Sequence, residues 1–245
     1  LVPKNYSVPE NELGYFINET GFRICRHYSL FQFLPMSEFL KRKRIPLLRL
    51  ISAHQLLFWV IIFILTWFFM SGADHFLEGT PAALGKYFNL RWVLIAHITA
   101  GGGALVLGPL QFWSRLRTRY IKLHRWVGVG YLLAILVSAT CALILSVTTA
   151  YKVNWAYAFS LQVWVSVWII STVIAYRTAL QKKFKQHQEW MTRSYMVTLA
   201  FIVSGLALKY LLKIGFGTFE DIAPSLFWMG WSVPLFVYQV MLSGK

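Results

Sequence analysis

The chain has 245 residues, of which 57% are hydrophobic and only 13% charged, too little polar surface to enclose a water-soluble core. Its net charge of +15 does not mark a nucleic-acid binder, because the basic residues gather in clusters between apolar stretches rather than along one basic face. Apolar runs close to the roughly 20 residues a transmembrane helix needs recur six times without the alternation of a barrel. The expected fold is therefore all-α, a polytopic transmembrane helical bundle of about six spans.

Residues 1–50 read as an N-terminal cytoplasmic extension before a transmembrane domain over residues 51–245. Residues 1–35 lack the charged start, apolar centre and small-residue cleavage site of a signal peptide. They have no helical period, so they read as a poorly ordered extension, or one foreign to the native product, ahead of the MSEFLKRKRIPLLR segment that opens at Met36. Span one is expected over Ser52–Ser71, rich in Phe, Trp and Ile, and a polar loop with Asp74, His75, Glu78 and Pro81 follows. Span two, Leu90–Trp113, carries His97, the run Gly101, Gly102 and Gly103, then Gly108 and a kinking Pro109. Its small residues let a neighbouring helix approach or leave room for a flat cofactor.

Span three runs from His124 to Thr149 with a partly polar face formed by Gly128, Tyr131, Ser138 and Thr140. Span four extends to about Tyr176 after a turn at Lys152–Asn154. The segment HQEWMTRSY, His187–Tyr195, leads into span five, which runs out near Leu212, and span six covers Leu226–Leu242. Cys25 and Cys141 fall in different environments and are not expected to pair.

The basic clusters lie on alternate connections: Lys41 to Arg49 before span one, Arg115 to Arg125 between spans two and three, and Arg177 to Arg193 between spans four and five. Alternate connections share one side of a membrane, and the excess of Lys and Arg makes that side cytoplasmic. The N-terminus is then cytoplasmic as well, and anionic lipid headgroups are the expected partners of the positive face.

Histidine is the residue most able to carry chemistry here, as the usual haem and metal ligand. His124 and His187 stand at the cytoplasmic ends of spans three and five, at one depth, and form the candidate ligand pair for a haem b iron or another metal. His97 lies about 16 residues, roughly 24 Å, from the cytoplasmic end of its helix, so it belongs to a separate outer site. His54 and His75 are weaker candidates. Arg125 and Arg193, close to the two inner histidines, could hold a propionate, a quinone head or a phosphate through their bidentate guanidinium groups. The competing assignment leaves the histidines as helix-end hydrogen-bonding residues and the arginines reaching to lipid phosphates.

No Asp or Glu lies in the apolar body of any span, Glu189 being at the edge of span five, which counts against a proton-coupled transporter. There is no nucleophile with a neighbouring base, no Gly-rich phosphate loop and no paired-Cys zinc motif.

Three ordered motifs, HITAGGGALVLGPLQF, LHRWVGVGY and HQEWMTRSY, resemble those of the predicted-membrane-protein family labelled domain of unknown function 2306 (DUF2306), over about residues 90–212. The resemblance implies a core of four spans, two to five, and a bacterial inner membrane, and it supplies no function. Three activities are therefore weighed: a b-type haem or quinone-interacting redox protein, a non-enzymatic membrane subunit or assembly factor, and a small-molecule carrier. A cofactor reading requires an apolar slot beside Gly101, Gly102, Gly103 or Gly128, whereas a structural subunit requires tight packing there.

Overall fold

The computed structural model describes residues 53–244; the expectations for residues 1–50 lie outside them. Every regular element among the described residues is helical. Among the described residues six long helices form: α1 (Ala53–Met70), α2 (Arg91–Gln111), α3 (Ile121–Thr148), α4 (Trp155–Leu180), α5 (Phe184–Lys213) and α6 (Phe219–Ser243). Five continuous helical stretches among the described residues are long and apolar enough to cross a membrane, and the apolar part of α1, Leu56–Met70, is shorter. The physical cause is general: hydrocarbon offers no partner for backbone N–H and C=O groups, so the chain must satisfy them within each segment.

Local chemistry sets the helix ends. α2 stops two residues beyond Pro109, the residue that removes a backbone donor from the helix. Asn154 caps α4 by accepting from the Tyr157 amide, and Thr218 with Asp221 forms a reciprocal capping box at the start of α6. A three-residue turn, Gln181–Lys183, reverses the chain between α4 and α5, with Lys182 in the left-handed region at φ 59°.

α3 packs along α2, α4 along α5, and α6 lies against α4 and α5. The main core is buried between α2, α3, α4 and α5 around Tyr131, Ile135, Trp164, Trp168 and Tyr195. Trp164 stacks on Phe201 with ring centres 4.2 Å apart. A hydroxyl network crosses this core: the Tyr131 hydroxyl lies 3.1 Å from Ser194 Oγ and 3.3 Å from Thr198 Oγ1, while Thr172 reaches Ser194 and the Trp168 N–H donates to Thr198. Each of these buried polar groups has a partner, as a low-dielectric interior demands. Large apolar side chains such as Phe63, Trp67, Leu136, Ile170 and Phe236 are exposed on the outer faces, where lipid tails would cover them.

At 28 and 30 residues, α3 and α5 are about 42 and 45 Å long, more than the roughly 30 Å hydrocarbon core. Each carries its histidine at its fourth position, in the first turn, His124 and His187.

Candidate functional site

The three motifs meet around a single cavity of about 170 Å³ at the basic end of the bundle. Gln111 and Phe112 reach it from the end of α2, and Arg117 from the short helix Ser114–Arg119. His124 comes from α3, and His187, Gln188, Met191 and Thr192 from α5.

His187 is held in a defined tautomer. Its Nδ1 lies 2.8 Å from the Ala175 carbonyl oxygen across the turn from α4. A carbonyl only accepts, so in the neutral ring Nδ1 carries the proton and Nε2 keeps its lone pair. His124 is half-buried, and its Nδ1 is enclosed without a hydrogen-bond partner among the described residues. Arg117 lines the cavity with His124, and Arg125 follows His124 in the chain, so this end of the bundle is positive.

Gln111 shows 6% of its surface, and its side chain rests over Gly128. A Cβ at position 128 would stand 3.3 Å from the Gln111 Oε1 atom, so the glycine of the HRWVG segment makes the seat for the glutamine of the GPLQF segment. The Gln111 Nε2 is likewise buried without a partner among the described residues.

Of the residues singled out from the sequence, His124 and His187 come together and the others lie apart. His97 sits between α2 and α3. Its Nδ1 donates towards the Ser138 carbonyl and hydroxyl oxygens, both at 3.0 Å, while the Ser138 hydroxyl donates back to the His97 carbonyl at 3.1 Å. Arg193 turns towards α6, where its Nη2 donates to Gln239 Oε1 at 2.8 Å and its guanidinium lies over the rings of Trp190 and Tyr238. Arg125 is exposed beside His124, and the side chains of His54 and His75 lie outside the described ones.

Gln111, Phe112, Arg117 and Met191 were not weighed as site residues from the sequence, although three of them stand inside the quoted motifs. Their signal was position next to a motif histidine, glycine or proline, which titratable chemistry alone does not weigh.

Along α2 the slot for a flat cofactor is filled, while Gly128 lies beneath Gln111, which lines the cavity. A Cβ on Gly101 would meet Ser138 Oγ at 3.2 Å, one on Gly102 would meet Met70 at 3.5 Å, and one on Gly103 would meet Ala134 at 3.8 Å. Two imidazoles on one cavity suit the axial positions of a haem iron. The space does not suit the ring, because the cavity of about 170 Å³ falls below the roughly 300–1,000 Å³ of pockets that enclose drug-sized ligands. It matches a single six-membered ring, since a dry cavity of about 150 Å³ takes up benzene. Among the described residues, no group of three or more His, Cys, Asp or Glu side chains gathers as a metal site.

The family described as "Predicted membrane protein (DUF2306)" matches residues 94–242. The match extends past the motif segments to take in α6, so the family unit includes the helix that holds Arg193. No curated protein and no solved structure matches the chain. With more than half of its residues matched, and all three motifs gathered at one end of a helical bundle, the chain belongs to the DUF2306 family of predicted membrane proteins.

Proposed function

We propose that this is a quinone-interacting redox protein of the inner membrane, whose cavity at the basic, cytoplasmic end binds the ring of the quinone between the walls that carry His124 and His187. One observation carries the reading: three motifs, 76 positions apart from Gln111 to His187, converge on one ring-sized cavity with two imidazoles in its wall. Phe112 and Met191 supply the apolar surfaces that a ring packs against. At the end of the bundle, where the first turns of α3 and α5 begin, a quinone anchored by its tail would present its head. Anionic lipids around Arg115, Lys122 and Arg125 would hold this end at the cytoplasmic surface.

The competing function is a non-enzymatic membrane subunit. The filled glycine face of α2 and the reciprocal His97–Ser138 contact favour it, because both are features of close helix packing. A carrier is least supported, as no carboxylate lines the cavity.

Calorimetric titration of the detergent-purified protein with a short-chain quinone decides between the two. Saturable binding that weakens at least about tenfold in folded His124→Ala, the imidazole whose tautomer is free to donate to a ring oxygen, supports the quinone reading. A flat titration of folded wild type transfers the weight to the subunit reading. A reduced-minus-oxidised visible spectrum separates off haem b: an α-band lost in both His124→Ala and His187→Ala would mean that the helices part around a macrocycle after all.

A further inference from the structure

The Gln111 amide gives the cavity a preference that the histidines do not. Gln111 lines the cavity, and its Nε2 is buried and unpartnered among the described residues, a state that carries a free-energy cost until the amide meets an acceptor. Its side chain is fixed from behind by the Gly128 seat, which any larger residue would occupy. The remaining polarity has the same sign. Arg117 lines the cavity, and no Asp or Glu does. α3 and α5 both begin there, so the positive ends of their dipoles add to the field.

We propose that Gln111, supported by Arg117, is the specificity-determining residue of this site: it donates to a carbonyl oxygen of the oxidised ring, so the cavity selects quinone over quinol. The inference rests on the quinone reading above. A carbonyl oxygen accepts from the amide without bringing a proton of its own, whereas a quinol hydroxyl brings a donor to a wall already rich in donors. His187 Nε2, with its lone pair free, is the group able to receive that hydroxyl, so quinol binding is weaker but retained.

The test measures dissociation constants for one short-chain quinone and, anaerobically, for its quinol, in wild type, Gln111→Leu and Gln111→Glu, with circular dichroism and thermal midpoints as controls for folding. Wild type should bind the quinone about tenfold more tightly than the quinol, the worth of one buried donor. Gln111→Leu should lose about that factor for the quinone and less than about threefold for the quinol, and Gln111→Glu should reverse the preference. Equal losses for both forms, or none, overturn the assignment while leaving the quinone site standing. If folded wild type binds neither form, the underlying reading and this one fall together. Displacement of the quinone by inorganic phosphate or phosphatidylglycerol, with phosphate affinity reduced in Gln111→Leu, would assign the donor to a phosphate and overturn the proposal.

Discussion

Gly108 illustrates how much single side chains decide in this bundle. A Cβ there would stand 2.3 Å from the ring of Tyr195 and 3.2 Å from that of Tyr131. Tyr195 is itself held, its hydroxyl donating to the Leu105 carbonyl at 3.3 Å. Alanine is the better helix former by about 1 kcal/mol, but overpacking a filled core costs about 1–3 kcal/mol. Gly108→Ala should therefore lower stability by up to about 2 kcal/mol net, read as a lower thermal midpoint in detergent. Gly103→Ala is the control: its nearest neighbour would be Ala134 Cβ at 3.8 Å, so it should be neutral or stabilising. Equal midpoints for the two variants would show that the Tyr195 ring yields.

At the level of elements, α3 and α5 start in the same phase. Their histidines occupy equivalent first-turn positions, and seven residues on, Tyr131 of α3 meets Ser194 of α5 at 3.1 Å. Seven residues further along α3, Ser138 closes on His97 of α2. One face of α3 thus carries the cavity histidine, the central hydroxyl and the contact with α2, because positions seven apart return to nearly the same side of a helix. Ser138→Ala should cost about 0.6–1.7 kcal/mol, the range for hydrogen bonds between membrane helices, on thermal unfolding. It should leave quinone titrations unchanged, since His97 lies towards the other end of the helix pair. A changed affinity would mean that the outer contact sets the geometry of the cavity. The phase relation was partly legible in advance: His124 and His187 open their spans in the sequence, and their shared depth follows from the alternation of spans. That they face one cavity does not follow, because depth leaves the rotation of each helix free.

For the whole molecule, the connections after α2 and after α4 carry the basic residues, and both flank the cavity end. If that end is cytoplasmic, Gln181→Cys introduced after replacing Cys25 and Cys141 should resist an impermeant maleimide in intact cells and react after permeabilisation. Phe216→Cys, at an exposed position beyond the far end of α5, should react directly. The opposite pattern would invert the orientation and put the cavity on the other side of the membrane.

The amino-acid sequence by itself determined the helices and their apolar exteriors, because a bilayer leaves the backbone few alternatives and long apolar runs are visible without any long-range contact. It also brought out the three motifs and the family they belong to. Only the tertiary structure decided which side chains share a space. It seated Gln111 over Gly128, turned Arg193 away to Gln239 on α6, and filled the glycine face of α2 with Met70, Ala134 and Ser138. These outcomes depend on helix rotation and on contacts between residues tens of positions apart, so hydropathy and spacing along one segment do not contain them.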